Sequence, residues 1–214
     1  MKTKYTGYVW LACSAIFGLS LSITASAADV TKLVEACTGC HGEAGANTEA
    51  DVPNIGSYST DYVISTLNRF KNDVRPCTET EFRTGSQKGT KTSMCQIAKG
   101  LSDSDIEQIA DYFAEQTFVR NPQNFDAELA TKGKSLFSSK CQDCHGSSGT
   151  LPGDHAGILG GQKMAYIAQQ LKHFREGKRP YTNKQARMKQ KLETLDDSDI
   201  EAIVNYLGSV QTTD

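Results

Sequence analysis

Apolar residues recur every three or four positions in two similar stretches, one in the middle of the chain and one near its end. This spacing places apolar side chains on one face of an α-helix. The residues are Ile106, Ile109, Tyr112 and Phe113 in the middle stretch, and Ile200, Ile203, Tyr206 and Leu207 near the end. Asp103 and Asp197 stand before them, where a short carboxylate side chain can cap free backbone N–H groups. The pattern therefore predicts two helices with these aspartates as N-caps.

Three further segments show a helical pattern, and none shows the alternation expected of a β-strand. Residues 62–70 and 166–174 form a similar amphipathic pair, and residues 126–140 precede the second of two cysteine motifs. Glycine and proline are concentrated in residues 42–56 and 146–161, which is typical of loops. The chain is therefore predicted to be all-α.

The chain contains an internal repeat. The motif Cys-x-x-Cys-His at residues 37–41 returns at residues 141–145, an offset of 104. Farther along, the offset falls to 94, so that Met94 corresponds to Met188. The first copy therefore has ten extra residues between Pro76 and Met94. A duplication of this kind predicts two domains of one fold.

The repeat sets the predicted domain boundaries. We assign residues 28–118 to the first domain and residues 126–214 to the second, with residues 119–125 as a linker. Domains of about 90 residues often need covalent or cofactor support for their cores.

Residues 1–27 predict a signal peptide. Lys2 and Lys4 give it a positive start, and a mostly apolar stretch follows. Small residues end the segment at Ala27, as a signal peptidase requires. A membrane anchor is the alternative, but serine and glycine interrupt the apolar run, whereas about 20 continuous apolar residues are needed to span a bilayer. We therefore expect cleavage near Ala27, a periplasmic location and no transmembrane span after processing.

Charge is distributed unevenly along the chain. The whole chain has a formal charge of −2, a balance that does not suggest nucleic-acid binding. Residues 28–125 carry 9 basic and 14 acidic side chains, whereas residues 126–214 carry 12 and 11. Nine of the basic residues lie within residues 163–191, against the single acid Glu176. This basic stretch either neutralises cofactor carboxylates and forms a solvated face, or attracts an acidic redox partner.

The two Cys-x-x-Cys-His motifs predict covalent haem attachment. Two thiols at this spacing reach the two vinyl groups of one haem, and the following histidine lies under the iron. The predicted attachment residues are Cys37, Cys40, Cys141 and Cys144, and the predicted iron ligands beside them are His41 and His145. A redox dithiol or half of a zinc site is the alternative, but two motifs in a duplicated, exported chain favour two haem c groups.

Each haem iron needs a second axial ligand, and three methionines follow the predicted signal peptide. Met94 and Met188 correspond in the repeat and lie just before the last predicted helix of each copy, so they are the predicted ligands. Met164 opens an amphipathic segment and is interpreted as a core residue. His155 and His173 are the other candidates, but they have no counterpart in the first copy.

Cys77 and Cys95 remain after the haem motifs are assigned. Both lie in or beside the ten extra residues, and an exported chain meets an oxidising compartment. A disulfide between them is therefore predicted. The alternative is that the Cys95 thiolate replaces Met94 on the iron.

These motifs resemble those of dihaem cytochromes of the c4 type, and more closely those of the dihaem subunit of flavocytochrome c sulfide dehydrogenase. The general pattern consists of the two cysteine motifs with their downstream methionines. The closer likeness lies in residues 98–100, 114–118, 125–130 and 174–180. The resemblance implies two cytochrome c folds packed face to face, each with one covalently bound haem beneath crossing N- and C-terminal helices.

The resemblance also implies roles for individual residues. Gly133 and Phe137 stand where cytochromes c keep a small residue and an aromatic residue at the helix crossing. Pro53 stands where a backbone carbonyl accepts a hydrogen bond from the ligand histidine. The second copy has Gly157 at that place, in a looser loop.

Three functions stay open at this point. The resemblance favours the electron-accepting cytochrome subunit of an FAD-containing, sulfide-oxidising flavoprotein. The second function is a free electron carrier that serves small redox proteins or a terminal oxidase. The third is a dihaem enzyme that oxidises a sulfur compound directly, as thiosulfate dehydrogenase does, for which Cys95 would have to bind iron.

Overall fold

The computed structural model describes residues 1, 27–153 and 156–211. The predicted signal peptide falls almost entirely outside these residues, as does His155. Among the helices that are described, none is long and apolar enough to cross a membrane.

Helices follow one another in a similar order in the two domains. In the first domain they are α1 (Ala27–Leu33), α2 (Glu35–His41), α3 (Thr60–Lys71), α4 (Met94–Lys99) and α5 (Asp103–Ala114). In the second domain they are α6 (Ala127–Lys140), α7 (Gln142–His145), α8 (Met164–Arg175), α9 (Ala186–Leu192) and α10 (Asp197–Ser209). Short 3-10 turns lie at Glu43–Gly45, Ser147–Gly149 and Asn183–Gln185. The predicted helical fold class is therefore confirmed.

The extra residues of the first copy contain the one exception to the helical prediction within the described residues. β1 (Thr80–Glu81) pairs antiparallel with β2 (Lys91–Thr92), and we call residues 77–93 the hairpin. The expectation that no segment forms a strand is wrong here. Each strand has only two residues, too few for the alternation of a strand to show in the sequence.

The last helix of each domain is capped one residue earlier than predicted. Ser102, not Asp103, caps α5, because its hydroxyl accepts from the Asp105 backbone N–H at 3.1 Å. The Asp105 carboxylate accepts in return from the Ser102 N–H at 2.8 Å, which completes a capping box. Asp196, not Asp197, caps α10 in the second domain. The predicted caps are instead the first helical residues, where their charge favours the helix dipole.

The first and last helices of the second domain cross at Gly133, as the resemblance implies. A Cβ atom on Gly133 would clash with the Ala202 carbonyl oxygen of α10, so a side chain does not fit there. Phe137, about one turn later, is fully buried and lies against Tyr206, with the ring centroids 5.5 Å apart. This crossing lies over the core of the second domain and above its cysteine motif.

Candidate functional site

The first cysteine motif lies on the wall of a cavity of about 240 Å³. Cys37, Cys40 and His41 reach it from α2, which ends at His41. Met94 reaches the same cavity as the first residue of α4, whose N-terminus is capped by the Ser93 side chain. The four residues predicted to hold the first haem are thus brought together.

The backbone of Pro53 orients the His41 imidazole. His41 Nδ1 lies 2.9 Å from the Pro53 carbonyl oxygen, which confirms the expected bond. Because a carbonyl only accepts, Nδ1 carries the proton and Nε2 keeps a lone pair for a metal. Burial lowers the pKa of His41, so the ring stays neutral. The Asn47 side chain donates a further hydrogen bond to the Pro53 carbonyl at 3.3 Å.

The second motif builds a similar site with less support. Cys141, Cys144, His145 and Met188 line a cavity of about 460 Å³, which is larger than the first. His145 Nδ1 is buried but has no hydrogen-bond partner among the described residues. The Gly157 carbonyl therefore does not take the place of the Pro53 carbonyl. Gly157 packs instead against a tyrosine ring of the first domain.

The motif cysteines do not fit the alternatives to haem attachment. Burial raises the pKa of Cys37 to about 12 and that of Cys141 to about 11. A redox dithiol requires the opposite, a lowered thiol pKa. In the described part of the chain, neither motif belongs to a group of ligand atoms close enough together for a zinc site.

A disulfide joins Cys77 to Cys95, whose Cα atoms are 5.5 Å apart. It ties the start of the hairpin to α4, at the residue after Met94. Cys95 is only 3% exposed, and its sulfur is held in this bond. The structure therefore leaves no Cys95 thiolate to bind an iron.

Two buried arginines lie between the cavities. Arg75 borders the first cavity and Arg179 the second, and each guanidinium stacks 4.4 Å from the centre of a phenylalanine ring. Both donate to Gln170 Oε1 at 2.8 Å, and Arg75 Nε has no partner in the described part of the chain. Among the described residues, neither guanidinium forms an ion pair with a carboxylate. Because an unpaired buried charge is costly, this site fits anionic groups such as haem propionates.

Aromatic side chains form the wall that the cavities share. Tyr58, Tyr62 and Tyr166 border both cavities. Burial raises the pKa of Tyr58 well above its ordinary value. Burial acts in the same direction on Tyr62, but the guanidinium charges of Arg179 and Arg75 outweigh it and lower the pKa of Tyr62 to about 8. The two cavities therefore adjoin through tyrosine rings, and the positive charges of the two arginines act on these rings.

A pair of buried amides locks the two domains together. The Asn54 backbone N–H donates to Gln162 Oε1 at 3.0 Å, and Gln162 Nε2 donates to the Asn54 carbonyl at 2.8 Å. The same amino group donates to the Tyr58 hydroxyl at 2.8 Å. Sequence reasoning missed Asn54 and Gln162, because nothing in their spacing indicates a partner. The offset of 104 also makes Arg75 and Arg179 equivalent in the repeat, but this equivalence alone assigns them no role.

The basic stretch of residues 163–191 does not form a single surface. Lys163 and Arg179 are buried at the domain boundary. Arg187 and Lys191 are exposed and border the second cavity. The stretch is therefore divided between the domain boundary and the border of the second cavity.

Known proteins resemble the chain along most of its length. A family model described as cytochrome c matches residues 27–116 and 130–211. Cytochrome c4 of Stutzerimonas stutzeri is 30% identical over 187 residues, which cover 81% of this chain and 84% of that protein. A protein of Stutzerimonas stutzeri strain A1501 named thiosulfate dehydrogenase electron acceptor is 25% identical over 216 residues, which cover 92% of this chain and 93% of that protein.

A solved structure has the same overall fold. The crystal structure of reduced recombinant cytochrome c4 from Pseudomonas stutzeri superposes with a TM-score of 0.67 at 29% identity. The match covers 86% of this chain and 98% of that chain. The residues matched by the family model include both cysteine motifs and both predicted methionine ligands.

Proposed function

The chain belongs to the cytochrome c family as a dihaem electron-transfer protein of the c4 type, and from this we propose that it accepts electrons from an FAD-containing, sulfide-oxidising flavoprotein. Two covalently attached haem c groups carry the electrons. The observation that carries the electron-transfer role is the shared aromatic wall, because it places the two haem sites next to each other. The sequence likeness in residues 98–100, 114–118 and 174–180 favours the flavoprotein as donor.

The residues of each site have different roles in holding a haem. The motif cysteines would form the thioethers, His41 and Met94 would hold the first iron, and His145 and Met188 would hold the second. Each haem iron supplies a one-electron change when bound, and His/Met ligation favours a high reduction potential. The apolar cavity walls exclude water from the iron.

The boundary between the domains governs the internal step. Arg75 and Arg179, which border the two cavities, would hold the haem carboxylates and offset their charge. Gln170 fixes both guanidiniums from one side chain. The buried amide pair then keeps the two haem sites at a constant separation.

The mature protein functions in the periplasm. Its disulfide is suited to an oxidising compartment, and the predicted cleavage near Ala27 would leave residues 28–118 and 126–214 as the two haem domains. Residues 119–125 connect them, and the Asn54 side chain of the first domain donates to Asn121 Oδ1 of this linker at 2.8 Å.

A free electron carrier is the second candidate function. The relative named thiosulfate dehydrogenase electron acceptor is similar over nearly the whole chain, which favours a carrier that docks transiently on a sulfur-oxidising enzyme and delivers electrons to small redox proteins or an oxidase. Direct oxidation of a sulfur compound is not favoured, because Cys95 is held in a disulfide.

Affinity purification from the native host tests the proposed donor. A tagged full-length chain should retain an FAD-containing protein in near-equal amount, and the complex should reduce its haems when sulfide is added. The isolated cytochrome should not be reduced by sulfide at a comparable rate. If no flavin copurifies, and thiosulfate with its dehydrogenase reduces the haems, the proposed flavoprotein subunit is rejected in favour of the free carrier.

A further inference from the structure

The hairpin packs directly on the first haem-attachment loop. The backbone N–H groups of Arg83 and Thr84 donate to the Gly39 carbonyl at 2.8 and 3.0 Å. Gly39 lies between the two attachment cysteines, and a Cβ atom placed on it would lie 2.7 Å from Phe82 Cδ1. Phe82 is only 5% exposed, although it comes from a segment whose tip is in solvent. The hairpin therefore covers the turn that carries both thioethers.

The hairpin is held in this place at several points. The disulfide from Cys77 fixes its start, and Arg83 pairs with Asp51 at 3.0 Å across the cavity mouth. Cys40 Sγ lies 3.6 Å from the Glu81 carbonyl oxygen, so the hairpin backbone runs beside an attachment sulfur. Its threonines at 80 and 92 border the first cavity. These contacts describe a fixed cover and not a surface loop that passes nearby.

Among the described residues, the second attachment loop has no such cover, because the second copy lacks the ten extra residues. Cys144 is exposed, whereas the corresponding Cys40 is partly buried. Arg187 and Lys191 are exposed at the border of the second cavity, which Lys140 and one acid, Asp143, also line. The border beside the second attachment loop is therefore basic on balance, while the first half of the chain is acidic.

We propose that the hairpin closes the attachment edge of the first haem to soluble partners, so that an acceptor with an acidic surface docks at the open, basic edge of the second haem. The acceptor would take one electron at the second haem, and the first haem would resupply it across the shared wall. Electron transfer weakens steeply with distance, so a hairpin packed on the first attachment loop disfavours transfer at that edge. This inference rests on the electron-transfer role and not on the identity of the donor.

The first experiment reverses two charges beside the second cavity or two on the hairpin, in the complete protein with both haems bound. It then compares the rates at which the haems are oxidised. Plastocyanin, an acidic copper protein, serves as the oxidant in stopped-flow experiments at low ionic strength. Arg187→Glu with Lys191→Glu should slow the oxidation of both haems about tenfold or more, and added salt should remove most of the difference. The matched control is Lys88→Glu with Lys91→Glu on the hairpin, which should change the rate by less than about twofold. Equal slowing by both pairs would overturn the proposal.

Removal of the cover tests closure itself. Residues 80–91 are replaced by two glycines in the otherwise native chain, with Cys77 and Cys95 kept. Tris(phenanthroline)cobalt(III), a small cationic oxidant, is repelled by Arg187 and Lys191 at the second cavity and drawn to the acidic first domain, so it should oxidise this chain about fivefold faster or more than the untrimmed chain. An unchanged rate in a trimmed protein with two haems would overturn closure, and if trimming prevents folding, the charge-reversal comparison still decides. Both experiments use the isolated cytochrome, so failure to find a flavoprotein does not affect them.

Discussion

The two domains carry corresponding candidate haem-binding residues, but the surroundings of these residues differ. In the first domain, His41 has a carbonyl partner and the attachment loop lies under the hairpin. In the second, His145 Nδ1 has no partner among the described residues and Cys144 is exposed. The duplication has thus kept the groups that touch the cofactor, while the support and accessibility of the two sites have diverged. Each prediction below separates one part of that difference.

The largest expected effect is spectroscopic, because the two ligand sets belong to separate cavities. Met94→Ala and Met188→Ala should each remove about half of the far-red charge-transfer band of methionine-ligated ferric haem. The other half should remain in each case. Met164→Leu is the control and should leave the band intact. Met164 is the first residue of α8, and its side chain packs against Gly208 of α10. A full band in both alanine variants would reject the assigned ligands.

Loss of the disulfide should destabilise only the first domain. Closing a loop over a sequence separation of 18 stabilises a fold by about 3 kcal/mol in the chain-entropy model. Cys77→Ser with Cys95→Ser should lower the free energy of unfolding of the first domain by about that amount. Ser138→Ala, an exposed change in the second domain, should have almost no effect. Equal destabilisation of both domains by the cysteine changes would contradict the expectation that the disulfide stabilises only the first domain.

The sequence predicts the parts of the structure that repeat. The offset of 104 identifies both attachment motifs, and the shift to 94 identifies both methionines together with the insertion that holds Cys77. It does not predict what the insertion covers, because two-residue strands leave no pattern. The sequence does not predict the contact between Asn54 and Gln162 either, since these residues are 108 positions apart and are not equivalent to each other in the repeat.

The next-largest effect is expected from a change in the contact between the two domains. Gln162→Ala removes both hydrogen bonds to the Asn54 backbone, and leaving these buried groups unpaired should cost about 2 kcal/mol. Denaturant unfolding followed at each haem should then show less coincident transitions for the two domains. Gln142→Ala removes an exposed glutamine from the second motif and should change the unfolding free energy by less than about 0.5 kcal/mol. Coincident, unshifted transitions in the Gln162 variant would show that the amide pair does not couple the domains.

The smallest effect concerns the support of the axial histidine. Asn47→Ala removes the amide that holds the Pro53 carbonyl, and should destabilise the first domain by about 1 kcal/mol. The repeat places Leu151 at the corresponding position of the second domain, where it is exposed and supports no such bond. Leu151→Ala should therefore change stability by less than about 0.5 kcal/mol. Equal changes in stability at the two positions would mean that the additional hydrogen bonds of the first loop do not stabilise the first domain.

The central claim is that each domain holds one covalent haem through its own cysteine pair. Intact-mass spectrometry of the holoprotein tests it most directly. The native chain should carry the mass of two haems, and Cys37→Ser with Cys40→Ser should carry one, as should Cys141→Ser with Cys144→Ser. A native chain with a single haem, or haem that acidified acetone extracts, would contradict the account.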